Sequence, residues 1–305
     1  MRTVDVLILG GGPAGLTAGI YTCRARLKAL LLERLMPGGQ AASTEWIENY
    51  PGFDNGVSGA ELMVKMEAQA KRFGLEIESE TVTGIRFDAH AITAVCEGKE
   101  ISAKAVIVAT GSDPKRLNVP GETELKGRGV SYCATCDGPF FKDKDVITVG
   151  GGSSGVQESL YLTRFVRSIH LVEVMDQLNA EKILEQRAAE NPKISLLLGH
   201  EVVSVNGSGC VESVTVRSRS TGEQKDLAAQ GVFVWIGFKP NTEFLRGTVD
   251  LDPTGSIPTN ADMSTSVPGL FAAGDVRSKA VRQVTTAVGD ATIAADSALK
   301  FIESH

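Results

Sequence analysis

Cys133-Ala134-Thr135-Cys136 is the segment of this 305-residue chain with the richest chemistry. Two thiols this close form a short-ring disulfide. The low thiol pKa typical of the motif favours exchange between dithiol and disulfide. Two other readings of a Cys-x-x-Cys pair stand beside that one: half of a zinc site, or a structural bridge. Zinc needs further ligands. No second Cys-x-x-Cys is present, and His90, His170, His200 and His305 are scattered, so no metal site is expected. Asp137 follows the pair at once. A carboxyl group there passes protons to and from a leaving thiolate. Asp137-Gly138-Pro139 also has a turn composition, and the two roles are compatible.

The pair lies a dozen residues before the second of two stretches of one design. Val6-Leu7-Ile8-Leu9 runs into Gly10-Gly11-Gly12-Pro13-Ala14-Gly15, and Val146-Ile147-Thr148-Val149 runs into Gly150-Gly151-Gly152-Ser153-Ser154-Gly155. Each is an apolar strand, a G-x-G-x-x-G loop and a helix-like segment. Each is followed by a second apolar strand ending in an acid, Glu33 or Glu173, and the same 23 residues separate the first glycine from that acid in both. The first glycine allows the tight turn, the second lets backbone N–H groups approach a pyrophosphate, and the third lets helix and strand pack closely. The acid stands at the spacing of a ribose contact. Two nucleotide loops and one exchangeable disulfide imply a relay of electrons from a donor, through a bound flavin, to the cysteines and then to a partner.

The elements that position these groups are legible as patterns. Residues 59–73 predict an amphipathic helix with Leu62, Met66 and Phe73 near one face. Residues 75–100 and 201–234 alternate like antiparallel strands, expected as small sheets over each nucleotide fold. Val106-Ile107-Val108-Ala109 delivers the tight turn Thr110-Gly111, and Val232–Gly237 is its counterpart. Leu270-Phe271-Ala272-Ala273-Gly274-Asp275 places an acid at a strand's carboxyl end, where α/β folds bind ligands; a helix N-cap is the other role for Asp275. Residues 280–302 predict a long final helix. Pro-containing linkers are expected at 113–117 and 239–244. The expected fold is α/β: two Rossmann-like dinucleotide-binding domains, one inserted into the other, each with a small antiparallel β sheet. The first takes residues 1–115 and 244–305; the second takes 116–243 and carries the cysteine pair.

Composition bounds the function. A net charge of −6 argues against a nucleic-acid partner. No apolar run approaches the roughly 18–20 residues of a membrane helix, and Val6–Leu9 is too short for a signal peptide. Five cysteines make no disulfide framework in a chain this long, so a reducing, cytoplasmic location is expected. Cys23, Cys96 and Cys210 are expected as buried, inert thiols.

Taken together, the motifs resemble the low-molecular-weight thioredoxin reductases over nearly the full chain. The resemblance is carried by Gly10–Gly15, Gly38-Gly39-Gln40, Glu48-Asn49-Tyr50-Pro51-Gly52, Ala109-Thr110-Gly111, Cys133–Gly138 and Gly150–Gly155. Ile236-Gly237 with Pro240-Asn241-Thr242, Gly269–Val276 and Arg282-Gln283 complete it. It implies a homodimer with one FAD per subunit. Gly10, Gly12, Pro13, Ala14, Gly15 and Glu33 would hold the ADP part. Gly39, Gln40 and Asn49 would line the flavin pocket, with Ala109, Thr110 and Gly111 at the adjoining turn. Gly274 and Asp275 would meet the ribityl-phosphate region, with Arg282 and Gln283 near the isoalloxazine ring. Cys136 would face the flavin and Cys133 would attack the disulfide of thioredoxin. Family members alternate between two domain orientations, and the two linkers suit such a hinge.

The departure is in the second nucleotide site, at Gly150, Gly152, Ser154, Gly155 and Glu173. Members that use NADPH carry His-Arg-Arg, then another Arg, where this chain reads Glu173-Val174-Met175-Asp176-Gln177-Leu178-Asn179. A 2′-phosphate needs cations, and Glu173 repels it while suiting free ribose hydroxyls. Arg164 and Arg167 belong to the preceding helix and its end, and read as surface charges. Three donors stay open: NADH, ferredoxin or another flavin-reducing protein, and NADPH through other contacts. In some relatives tail residues cover the flavin, a role open to His305 here against that of a frayed end. Two other functions stand as alternatives: a flavin oxidoreductase with a quinone or oxygen acceptor, and a redox-sensing flavoprotein that binds a partner. A peroxiredoxin reductase would be expected to carry an added N-terminal module, for which the strand beginning by Val4 leaves no room.

Overall fold

The structure, a computed structural model, describes residues 2–44, 46–88 and 91–304. His90 and the tail residue His305 lie outside the described residues. The chain forms two compact units, residues 1–113 with 239–305, and residues 114–238.

The first unit begins with β1 (Arg2–Leu9), whose Val6-Leu7-Ile8-Leu9 are all buried, as a strand covered on both faces requires. Helix α1 (Pro13–Arg24) starts with Pro13 in its first turn, where the missing N–H is no loss. Strand β2 (Ala29–Glu33) and the short α2 (Gly39–Ala42) follow. Helix α3 (Gly59–Arg72) is N-capped by Ser58, whose Oγ accepts from the Glu61 N–H at 3.1 Å. Its inward face is Leu62, Met63, Met66 and Ala70.

Strands β3 (Glu76–Ser79), β4 (Val82–Asp88), β5 (Ala91–Cys96) and β6 (Lys99–Val108) complete this part. The order is β3-β2-β1-β6-β5-β4. The first four are parallel, with Val6 opposite Ala29 and Leu9 opposite Val108. β4 and β5 are antiparallel. They extend the parallel sheet instead of lying over it, because the ten-residue β6 pairs with β1 on one edge and offers β5 the other. Strand β7 (Ser112–Pro114) then leads out.

The second unit contains β8 (Val130–Ser131), the one-turn α4 (Ala134–Asp137), β9 (Asp145–Val149), α5 (Ser153–Leu162) and β10 (Ser168–Glu173). Helix α6 (Lys182–Glu190), β11 (Ile194–Leu198), β12 (His200–Asn206), β13 (Ser213–Ser218), β14 (Gln224–Ala228) and β15 (Gly231–Val234) follow. A parallel sheet runs β11-β10-β9-β15-β8, and β12-β13-β14 form a separate antiparallel sheet. Residues 231–234 are buried throughout and join the parallel sheet, so the alternation expected over 201–234 stops at β14.

The chain returns through β16 (Phe238–Pro240), which pairs with β7, and β17 (Leu270–Ala272), parallel to β6. Helix α7 (Val284–Ser304) packs on α1. It starts four residues later than the sequence pattern predicts. Thr286 Oγ accepts from the Gln283 N–H at 3.1 Å and fixes the start there, and Lys279 is drawn inward to Asp290. Cys23 and Cys96 are buried, and burial pushes both thiols up. Cys210 corrects the expectation: it is exposed, because it sits in the Gly207-Ser208-Gly209 turn between β12 and β13, with Gly209 at φ +98°. No helix among the described residues is long and apolar enough to cross a membrane.

Candidate active site

Two of the three glycines of the first loop are required by packing. A Cβ at Gly10 would overlap the carbonyl of Ala109, and one at Gly15 would overlap the carbonyl of Gly10. Gly12 is different. Its nearest neighbour is the Cα of Gly39, 3.9 Å from where a Cβ would stand, and Gly39 has φ +55°. Two bare backbones thus face each other across the N-terminus of α1. That N-terminus has no side-chain cap, so its N–H groups are offered to an anion.

Glu33 ends β2 beside this loop. Its Oε2 accepts from the Gly11 N–H at 2.7 Å and its Oε1 from the Leu35 N–H at 3.1 Å. A cavity of about 230 Å³ opens there, lined by Gly10, Glu33, Arg34, Thr81, Thr110 and Asn241 among others. Thr110 Oγ donates to the Asn241 carbonyl at 2.8 Å, and Asn241 Nδ2 donates to the Thr110 carbonyl at 3.0 Å. Asp113 collects Arg34 at 3.0 Å and Gln40 at 3.4 Å. Asn49 Nδ2 donates to Gln283 Oε1 at 3.1 Å, which joins two of the expected flavin-pocket residues.

The turn after β17 brings Gly274 against α1: a Cβ there, at φ +80°, would come 3.0 Å from Ala14 Cβ. Asp275 follows it. Its Oδ1 is buried and accepts no hydrogen bond from the described residues, with Lys279 Nζ 4.0 Å away. Burial pushes its carboxyl up, and Lys279 and then Arg282 pull it back down. Beneath it Asp290 of α7 accepts from the Gly274 N–H at 3.1 Å, from Arg277 at 2.8 Å and from Lys279 at 2.9 Å. The bare cradle at Gly12 and Gly39, the ribose-spaced acid and an orphaned buried carboxylate oxygen fit a dinucleotide cofactor with a hydroxylated chain.

In the second unit Cys133 and Cys136 form a disulfide across α4, with their Cα atoms 5.4 Å apart. Cys133 caps the helix, its Sγ accepting from the Cys136 N–H at 3.1 Å. Cys136 is exposed and Cys133 half-buried. Asp137 closes the turn, its Oδ2 accepting from Ser131 Oγ at 2.6 Å. The strand carrying this turn is clamped one residue earlier. The Tyr132 carbonyl accepts from Trp235 Nε1 at 3.2 Å, and its hydroxyl donates to the buried Glu122 at 2.7 Å. Burial, then Glu122, holds the Tyr132 phenol in its protonated form by pushing its pKa upward.

The second loop repeats the first. A Cβ at Gly150 would overlap the carbonyl of Trp235, and one at Gly155 would overlap the carbonyl of Gly150, while one at Gly152 meets nothing within 4 Å. Helix α5 has no side-chain cap at its start, where Ser154 lies in the first turn. Glu173 accepts from the Gly151 N–H with Oε2 and from the Met175 N–H at 2.9 Å with Oε1. Val174 and Met175 are exposed. Arg167 pairs with Asp145, and Arg164 stacks on Tyr161 with 5.5 Å to the ring centroid. Among the described residues no cluster of His, Cys, Asp or Glu could hold a metal.

The pyridine nucleotide-disulphide oxidoreductase family matches residues 4–291. A thioredoxin reductase of Bacillus subtilis is 46% identical over 99% of this chain and 96% of its own length. One from Peptoclostridium litorale is 43% identical over 98% and 97%. The crystal structure of Lactococcus lactis thioredoxin reductase is 42% identical, covers 99% of this chain and 100% of that one, and superimposes with a TM-score of 0.97. The chain belongs to the pyridine nucleotide-disulphide oxidoreductases, in the branch of the low-molecular-weight thioredoxin reductases. It is an oxidoreductase acting on a sulfur group, and family membership implies FAD and a pyridine nucleotide.

For this family member the motifs located the glycines, the acids and the disulfide. They missed the residues that hold these in place: Ser131, Glu122 and Tyr132 around the disulfide, and Asp113, Lys279 and Asp290 in the first unit. Asn241 had a signal, since Pro240-Asn241-Thr242 is part of the resemblance. The others are brought to their partners by the fold and have no local pattern.

Proposed function

We propose that this protein is an FAD-dependent thioredoxin-disulfide reductase, a homodimer, that draws its electrons from NADH. The disulfide of Cys133 and Cys136 in a one-turn helix, followed by Asp137, supports the reductase reading over a flavin oxidoreductase. The observation that carries the donor is Glu173. Its carboxylate makes the two backbone contacts that Glu33 makes at the FAD loop. An acid so placed suits a free ribose diol; of the arginines around it, Arg167 pairs with Asp145 and Arg219 donates to the Val174 carbonyl at 3.0 Å.

Gly10, Gly12, Pro13, Ala14, Gly15 and Glu33 would hold the ADP half of FAD. Gly39, Gln40, Asn49, Arg282 and Gln283 would serve the flavin end, Ala109, Thr110 and Gly111 the turn beside it, and Gly274 and Asp275 the ribityl chain. When bound, FAD supplies a carrier that accepts two electrons from the nicotinamide and releases them to a disulfide. The chain's own part is thiol chemistry. Two electrons break the S–S bond and leave two sulfurs, and Asp137 delivers a proton to a leaving thiolate. The Cys133 thiolate then attacks the disulfide of thioredoxin, and one thioredoxin sulfur leaves. Attack by Cys136 on the mixed disulfide restores Cys133–Cys136 and releases reduced thioredoxin.

Anaerobic titration of the flavin-loaded protein with NADH, NADPH and reduced ferredoxin tests the donor. Bleaching of the flavin by NADH alone is expected. Reduction by ferredoxin and by neither nucleotide would replace NADH with a protein donor. Cys136→Ser is expected to abolish turnover of oxidised thioredoxin, and steady turnover by that variant would end the reductase reading.

A further inference from the structure

Ser131 is 4% exposed and no motif marks it. Its Oγ lies 2.6 Å from Asp137 Oδ2 and 3.3 Å from the Cys133 carbonyl, and accepts from the Cys133 N–H at 3.1 Å. A hydroxyl has one proton to give. The Asp137 carboxyl oxygen takes it, being much the nearer of the two acceptors. One side chain therefore ties the acid at the end of α4 to the backbone of the cysteine at its start. The five residues between Ser131 and Asp137 contain both sulfurs, so this bond is a chord closing the loop around the disulfide. A one-turn helix cannot hold the Asp137 side chain by itself, and a free carboxylate would spread over several rotamers.

We propose that Ser131 is a positioning residue for disulfide chemistry, fixing the Asp137 carboxyl against the Cys133–Cys136 turn so that it delivers its proton to the departing sulfur. The proposal rests on the reading of Asp137 as proton donor. It applies to any reductant of the disulfide. With dithiothreitol, a reagent thiolate attacks one sulfur, the S–S bond breaks, and the other sulfur leaves and takes the proton from Asp137. The second reagent thiol closes its ring and frees the remaining cysteine, so the reagent is oxidised as the pair is reduced.

The test is the rate of that reduction in the FAD-loaded, full-length protein, followed by thiol appearance alongside the thermal midpoint. Ser131→Ala should slow it about tenfold, the equivalent of 1.4 kcal/mol, and Ser131→Thr, which keeps the hydroxyl, should restore it. In an Asp137→Asn background Ser131→Ala should add no further loss. Equal losses with and without the carboxyl, a wild-type rate for Ser131→Ala, or no rescue by threonine would overturn the proposal. A wild-type rate for Asp137→Asn would overturn the proton-donor reading itself, and the proposal with it. If Ser131→Ala does not fold, Asp137→Glu reads the same point: it keeps a carboxyl but carries it past the hydroxyl. A slow folded variant supports the proposal and full activity sinks it.

Discussion

The two glycine loops of this chain are built to one plan and differ in what surrounds them. Strand β1 lies on β2 with Val6 opposite Ala29, and β9 lies on β10 with Val146 opposite Ile169, the same register 140 residues on. Glu33 and Glu173 make the same pair of backbone contacts. Asp5 of β1 and Asp145 of β9, also 140 apart, bind equivalent residues where the second strand begins, the Lys28 N–H and the Ser168 hydroxyl. Beyond this frame they diverge. After Glu33 comes Arg34, held by Asp113; after Glu173 come the exposed Val174 and Met175. The difference teaches where a nucleotide loop carries information about its ligand. The first and third glycines are demanded by carbonyls within the protein and would persist without a ligand. The middle glycine, against which nothing packs, and the residues after the acid are where ligand and fold separate.

The largest expected effects break the frame. Gly150→Ala forces a side chain at φ +118° into the carbonyl of Trp235, and Gly10→Ala does the same at φ +106° against Ala109. Each is expected to destabilise its unit by about 3 kcal/mol or more. Gly152→Ala and Gly12→Ala meet no such wall. They should change stability by less than about 1 kcal/mol while weakening NADH or FAD at least about tenfold, some 1.4 kcal/mol. Urea unfolding of the apoprotein beside ligand titration separates the two classes. Similar stability losses at all four positions would erase the distinction.

Buried carboxylates give the next contrast. Asp290 in the first unit is neutralised by Arg277 and Lys279. Among the described residues, Glu122 in the second accepts from neutral donors, the N–H groups of Leu117 at 2.8 Å and Asn118 at 2.6 Å and the Tyr132 hydroxyl. Asp290→Ala strands two buried cations and should cost about 3–5 kcal/mol. Tyr132→Phe removes one neutral bond to Glu122 and should cost about 1–3 kcal/mol. Denaturation midpoints of both, at matched pH, rank the two.

What the sequence announces here is local. Glycine spacing, the acid 23 residues on, the buried β1 and β9 and the cysteine pair are all carried by residues near each other in the chain, where strand and turn rules apply. What it conceals is brought together by folding. Asp290 meets Gly274 and Lys279 only because α7 crosses the β17 turn, Ser131 meets Asp137 only because α4 doubles back, and the antiparallel strands join β6 because that strand is long enough to hold partners on both edges. Cys210 misleads for the opposite reason. Apolar habit predicts burial, and a turn of glycines and serine takes it to the surface.

Specificity sharpens the comparison further. Glu173→His with Val174→Arg and Met175→Arg supplies the cations that a 2′-phosphate needs and removes the acid. The preference for NADH over NADPH should move toward NADPH by about 100-fold, two decades at 1.4 kcal/mol each, read as the ratio of kcat/KM values. An unchanged ratio would show that residues other than these three choose the nucleotide.

The smallest effect concerns the two equivalent acids on the first strands, Asp5 and Asp145. Hydrogen bonding to Arg167 and then Ser168 pulls the Asp145 carboxyl down to about 2, and Lys104 with the Lys28 N–H pulls Asp5 down as well. Both carboxyls are then more acidic folded than unfolded, where the ordinary value is about 3.9. The folded state binds fewer protons, so this stabilisation is present above about pH 4 and is lost as pH falls. For Asp145 the loss runs down to about pH 2. Arg167 is exposed, so solvent and salt screen the pair and the change at neutral pH is small. Asp145→Asn should therefore leave the urea midpoint near its wild-type value at pH 7 and flatten its decline between pH 4 and 2. Asp5→Asn should flatten that decline too, through its own cation, Lys104 of β6. A wild-type acid slope in both variants would mean that the role these two equivalent acids share is geometric and not electrostatic.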